Sequence, residues 1–201
     1  MNIIIASSNQ GKIKEIQRWL PTHSVVPYSE ILGSFDIEET GQTFQENAII
    51  KAEAIVAKLK EIGYAKEYIV ISDDSGLSVE ALNNEPGLYS ARYAGLDAKD
   101  ADNNAKLIAK LNEKNLTKTA AYYTACLAVA YEDKIYTTHG WMFGDVINEQ
   151  KGEGGFGYDP LFIPNGYTET LGVLDNSIKK ELSHRSKALA LAMKIISVLL
   201  K

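Results

Sequence analysis

An α/β fold with a mixed sheet, flanking helices and two lobes around a central cleft is what this sequence predicts, on three observations. Short apolar, β-branched runs alternate with stretches of helical periodicity through the first half of the chain. Two longer strand-like runs then follow each other across a tight acidic turn, so at least part of the sheet is antiparallel. At 201 residues and 45% apolar content, the chain is long enough for one sizeable domain or two lobes sharing a cleft.

In chain order, Ile3–Ala6 is a short apolar run closed by Ser7-Ser8-Asn9-Gln10-Gly11. Ile13, Ile16, Trp19 and Leu20 then fall at helical spacing over Lys12–Leu20, and Pro21 ends that helix. Thr43 with Glu46 three residues on fits a capping box. Phe44, Ala48, Ile55 and Leu59 continue a second helix, with Gly63 near its end. Tyr68–Ser72 is a β-branched run expected to be a central strand, stopping at Asp73-Asp74-Ser75-Gly76. Ala98–Leu111 predicts a third helix. Thr119–Tyr131 and Lys134–Phe143 predict a hairpin turning at Glu132-Asp133. A glycine-rich loop over Gly152–Gly157, a polar segment and a final helix from near Ser183 complete the reading.

Composition excludes several classes. A net charge of -5 argues against a nucleic-acid binder that works by neutralising phosphates, though a pocket for a small anion needs only local positive charge. No apolar run reaches the roughly 18 residues that span a bilayer. Met1-Asn2-Ile3-Ile4-Ile5-Ala6 has no basic leader and is expected to be a buried first strand rather than a signal peptide. The single cysteine, Cys126, lies in an apolar run, reads as a small buried hydrophobe, and favours a reducing, cytoplasmic compartment.

Four stretches carry residues suited to chemistry. Ser7, Ser8, Asn9, Gln10, Gly11 and Lys12 join a strand to a helix, where free N–H groups, a close backbone approach and one lysine suit phosphate. The Walker A pattern is absent. Asp73 and Asp74 leave a buried strand on opposite faces, so one is available as a magnesium ligand or base while the other fixes the loop. Either Glu38 or Glu39, just before the second helix, is placed to complete such a site, whereas Glu46 reads as a capping residue. In Gly152–Asp159, glycines interleaved with Phe156 and Tyr158 present aromatic faces, a platform for a planar base. Lys179, His184 and Arg185 supply donors near the last helix, which Ser183 caps. His23 and His139 have no ligand spacing and read as structural.

Six strings in this order resemble one family. They are Ser7-x-Asn9-x-x-Lys12, Glu39-Thr40-Gly41 with Phe44-x-Glu46-Asn47-Ala48, and Asp73-Asp74-Ser75-Gly76-Leu77. Pro86-Gly87-x-Tyr89-Ser90-Ala91-Arg92-Tyr93, Gly154-Gly155-Phe156-Gly157-Tyr158-Asp159-Pro160 and Ser183-His184-Arg185 complete the set. The chain is similar over almost its whole length to the inosine triphosphate pyrophosphatase family, enzymes that cleave non-standard purine nucleotides. The resemblance implies a single nucleoside triphosphate pyrophosphatase domain over residues 1–201, a homodimer, and hydrolysis of ITP, dITP and XTP to monophosphate and pyrophosphate with magnesium. It implies phosphate contacts from Ser7 to Lys12, Asp74 as catalytic carboxylate and metal ligand, and Glu39 as second acidic ligand. Ser75 would touch substrate, Phe156, Gly157, Tyr158 and Asp159 would line the base site, and Lys179, His184 and Arg185 would complete it. Ile178 departs from the acidic residue many members carry there.

Two alternatives stand beside this reading. A phosphatase releasing orthophosphate through an aspartyl nucleophile would need Asp-x-Asp, where this chain has Asp73-Asp74. A non-catalytic nucleotide-binding module would show no turnover.

Overall fold

The computed structural model describes residues 2–7 and 10–200. Ser8 and Asn9 of the expected phosphate loop lie outside them, and of Gln10 and Gly11 only the backbone is described. The chain forms β1 (Asn2–Ile5), α1 (Gln10–Trp19), β2 (Val25–Pro27), α2 (Tyr28–Leu32), α3 (Phe44–Glu61) and β3 (Tyr68–Val79). It continues through β4 (Glu85–Pro86), α4 (Asp100–Glu113), β5 (Lys118–Tyr131), β6 (Lys134–Ile147), β7 (Phe162–Pro164), α5 (Asn176–Leu182) and α6 (His184–Leu199). The sheet has seven strands in the order β2-β1-β3-β5-β6-β7, with β4 paired to β3. β1 runs parallel to β2 and β3, whereas β4 is antiparallel to β3 and β7 to β6. This is the mixed α/β architecture with flanking helices that the sequence predicts.

The chain divides into two compact units. The first comprises Met1–Asp74, Ala125–His139 and Lys187–Lys201, and the second Ser75–Thr124 and Gly140–Ser186. The first unit buries its sheet on both faces, which is why its strands read as continuous apolar runs rather than alternating ones. Ile3, Ile5, Ile69, Ile71, Leu127 and Val129 pack against Ile13 and Ile16 of α1 and Leu189, Ala192 and Ile196 of α6. Ile4, Val70, Cys126 and Ala128, one residue out of step, pack on the opposite face against Ala48, Ala52, Ile55 and Leu59 of α3. The second unit has its own core, in which Leu77, Val79, Leu107, Leu111, Tyr123, Val146 and Phe162 meet.

Several boundaries differ from the sequence expectation, three of them for a reason the structure shows. β3 does not stop at Ser72 but runs through both aspartates to Val79, because each carboxylate finds a partner on a helix packed against its face, Lys12 of α1 and Lys51 of α3. β6 extends past Phe143 to Ile147, since Gly144, Asp145 and Val146 pair with β7, a strand whose three residues are too few to show periodicity. α4 starts at Asp100 rather than Ala98, with Lys99 extended ahead of it. Both predicted caps form: Thr43 Oγ1 accepts from Glu46 N (3.1 Å), and Ser183 Oγ accepts from Ser186 N (3.2 Å).

Candidate active site

The pleat of β3 sorts its two carboxylates. Odd positions Ile69 and Ile71 face α1 and α6, even position Val70 faces α3, and the same alternation carries Asp73 one way and Asp74 the other. Asp73, fully buried, pairs with Lys12 Nζ of α1 at 2.5 Å. Asp74, 8% exposed, faces α3, where Asn47 Nδ2 donates to its Oδ2 (3.2 Å) and Lys51 Nζ to its Oδ1 (3.1 Å). Lys51 Nζ also donates to Glu39 Oε1 at 3.0 Å. Two carboxylates from separate segments thus converge on a single cation.

Each partner is fixed by its own element. Asn47 and Lys51 lie one turn apart on the buried stripe of α3, among Ala48, Ala52, Ile55 and Leu59. Asn47 Oδ1 accepts the Gly41 backbone N–H (2.8 Å), which ties the Glu39–Gly41 segment to the helix start. A Cβ at Gly41 would sit 2.6 Å from that same Oδ1, so the close approach requires glycine there. Ser72 Oγ donates to the Ala48 carbonyl, anchoring β3 to α3 next to the site. Glu46 points elsewhere: its Oε2 accepts from Gln42 N (2.6 Å), a capping contact as expected.

The electrostatics follow from burial and like charge. Burial raises the Asp74 pKa above the ordinary carboxylate value, and Glu39 adds to it, against the lowering by Lys51 and Lys12. For Lys51 the order reverses. Burial pulls it down, but Asp74, Glu39 and Asp73 outweigh that pull and hold it above the ordinary lysine value. Lys51 therefore stays an ammonium, and Asp74 is a carboxylate whose proton affinity is increased.

Of the other expected residues, all but those from Ser7 to Lys12 belong to the second unit. Arg185, 2% exposed at the start of α6, donates from its guanidinium to Ser75 Oγ at 2.9 Å. His184 stacks on Tyr123 with ring centroids 4.8 Å apart and planes 11° from parallel. Phe156 is 53% exposed, and its backbone N–H donates to Asp159 Oδ2 (3.2 Å), so the loop turns back on itself. Gly155 permits this: its φ is +90°, and a Cβ there would lie 1.9 Å from Asp159 Oδ2. Lys179 Nζ reaches the same loop, 3.3 Å from where a Gly154 Cβ would stand. Tyr158 is buried, and its hydroxyl donates to the Ser90 carbonyl at 2.8 Å. Ser7 is half-buried at the end of β1.

Lys51 and Tyr123 are absent from the sequence reading. Lys51 had a signal: a lysine at helical spacing with Ala48, Ala52, Ile55 and Leu59 of α3 is a candidate buried charge. Tyr123 had none, since an aromatic in a strand reads as core, and its stack with His184 joins residues 61 positions apart in the chain.

A model of the Ham1 family matches residues 3–195. A protein of Aliarcobacter butzleri named dITP/XTP pyrophosphatase is 57% identical over 200 residues, covering all of both chains. One of the same name from Campylobacter concisus is 50% identical over 210 residues, covering all of this chain and 99% of its own. Among solved structures, the Staphylococcus aureus Ham1 protein is 39% identical with a TM-score of 0.85, covering 98% of each chain. A HAM1 protein from Coxiella burnetii is 34% identical with a TM-score of 0.87 over the same shares. A family-model match spanning nearly the whole chain, with full-length relatives at more than half identity, places the protein in the Ham1 family.

Proposed function

We propose that this protein hydrolyses non-standard purine nucleoside triphosphates, among them dITP, XTP and ITP, to the monophosphate and pyrophosphate. The observation that carries the reading is the full-length identity to relatives named dITP/XTP pyrophosphatase, at 57% and 50%. The Glu39–Lys51–Asp74 cluster is the chemistry that such a reaction needs. The proposed site of action is the cytoplasm. Among the described residues no helix is long and apolar enough to cross a membrane.

Asp74 and Glu39 suit a divalent cation, which we take to be magnesium. Both already direct an oxygen at one positive nitrogen, and no third His, Cys, Asp or Glu joins them among the described residues. Magnesium takes one or two carboxylates and completes its shell with waters and phosphate oxygens. When bound, it neutralises phosphate charge and lowers the pKa of nearby water.

The protein's own residues then divide the work. Lys12, Lys51 and the segment from Ser7 to Gly11 take the triphosphate, the lysines as point charges and the start of α1 through backbone N–H groups. Asp74, held by Asn47 and with its pKa raised by burial, orients a water toward the α-phosphorus and accepts its proton. The water oxygen bonds to the α-phosphorus, the bridging bond to the β-phosphate breaks, and pyrophosphate leaves. Phe156, Gly157, Tyr158 and Asp159 receive the base, with Ser75, Lys179, His184 and Arg185 completing the recognition.

A homodimer is part of the proposal. Trp141 and Phe143, 44% and 57% exposed on β6, are an apolar face that pairing would cover, and light scattering at micromolar concentration checks the state. The functional test is a panel of ITP, dITP, XTP and the standard triphosphates with magnesium, assayed separately for pyrophosphate and orthophosphate. Pyrophosphate from the three non-standard nucleotides supports the reading. Orthophosphate alone, or no product from any of them, overturns it.

A further inference from the structure

One helix that carries none of the expected site residues fastens the glycine-rich segment. In the first turn of α4, Asp100 Oδ2 accepts the Gly157 backbone N–H at 2.6 Å. One turn further, Asn104, 4% exposed, donates from Nδ2 to the Gly157 carbonyl at 3.0 Å. Residues four apart share a helix face, so both polar groups of Gly157 are held by one rigid surface. Gly157 needs holding: its φ of +60° is left-handed, and no atom lies within 4 Å of where a Cβ would stand. The next residue is tied as well, through the Tyr158 hydroxyl to Ser90. Asn103, between the two clamps on α4, bonds the Ala91 carbonyl and the Ala94 N–H, fixing the turn that bears Ser90. The Phe156 ring, by contrast, is more than half exposed, so its direction is set by this backbone and not by packing around the ring.

We propose that Asp100 and Asn104 are positioning residues for base recognition, holding Gly157 so that Phe156 and Asp159 meet the purine in a fixed orientation. The inference rests on the functional reading above and assigns the selectivity of that site a support outside it. A hydrogen bond from a peptide N–H to a carboxylate is charge-assisted and shorter than a neutral one, as the 2.6 Å distance shows. Losing it lets the loop sample other conformers, and the ordering it needs is then taken out of binding.

The test compares Asp100→Ala with Asp100→Asn, which keeps an acceptor oxygen. Steady-state kinetics with XTP and ATP are read beside amide hydrogen exchange over residues 152–160. Asp100→Ala is expected to raise KM for XTP by about tenfold, the loss for a hydrogen bond to a charged group. Its kcat stays within about twofold, the preference for XTP over ATP narrows, and exchange of the segment quickens. Asp100→Asn returns both readouts toward the parent protein. Unchanged exchange in a folded Asp100→Ala protein overturns the clamp, and faster exchange with an unchanged KM overturns its role in recognition. If Asp100→Ala does not fold, Asn104→Ser, which shortens the donor, is judged by the same outcomes. A parent protein that releases no pyrophosphate from XTP sinks the functional reading, while the exchange comparison, which needs no substrate, still decides the clamp.

Discussion

Asp74 holds a position that a sequence shows only in outline. Its place after an apolar run marks it as a site candidate, and the pleat explains why Asp73 has a different partner. What the sequence hides is the pairing of Asp74 with Lys51, 23 positions away, which comes about because α3 packs on that face of β3. Asp74→Asn keeps the volume and removes the charge and the base. Turnover should fall by at least about a hundredfold, the usual worth of a positioned base, with an unchanged circular dichroism spectrum. Near-normal hydrolysis by the folded variant contradicts the assignment. Arg185 is legible as a donor but not as a buried one, since a charged residue beside a histidine at a helix start reads as surface. Hypoxanthine and xanthine carry an oxygen at position 6 where adenine carries an amino group, and arginine offers only donors. Arg185→Ala should lower kcat/KM for ITP about ten- to a hundredfold more than for ATP, the cost of an unmatched donor. An equal fall for both nucleotides would mean that the residue serves Ser75 and the helix rather than the base.

At the scale of elements, legibility tracked length and periodicity. α3 and the β5–β6 hairpin were readable because eighteen helical and twice fourteen strand residues leave a long pattern. β2, β7 and α2, of three, three and five residues, leave none. The end of β3 is not legible for a physical reason: consecutive carboxylates read as a turn, unless each has a partner in the layers above and below. The glycine-rich loop is legible in composition, but its conformation depends on contacts that composition does not reveal, that of Asp159 with the Phe156 N–H among them. Gly155→Ala places a methyl group 1.9 Å from Asp159 Oδ2 at a φ of +90°. Asp159 must swing away and release the Phe156 N–H, so KM for XTP should rise by about tenfold or more. The loop is exposed, so the melting temperature should change little. An unchanged KM in this variant would show that the Asp159 contact is not needed for recognition.

On the scale of the whole molecule, the first unit's sheet is covered on both faces, and Cys126 lies in the α3-facing layer, fully buried. Burial first, and then the charges of Asp73 and Asp74, push its thiol up to about 12. The thiolate is the reactive form, so at pH 8 the native protein should resist thiol reagents, and unfolding should release one reactive thiol. Rapid labelling of the native protein would contradict the layered core. The two-faced burial is readable from unbroken runs such as Ile3–Ile5 and Ala125–Ala130, and two lobes are expected from the sequence, but where the chain divides is not readable, because the cuts fall inside β3, β5, β6 and α6. The proposed reaction turns on where the water attacks. Hydrolysis of XTP in water enriched in heavy oxygen, followed by mass spectrometry of both products, reads this directly. Attack at the α-phosphorus puts the label in the monophosphate and leaves the pyrophosphate light. Label in the pyrophosphate, or in free orthophosphate, would contradict it.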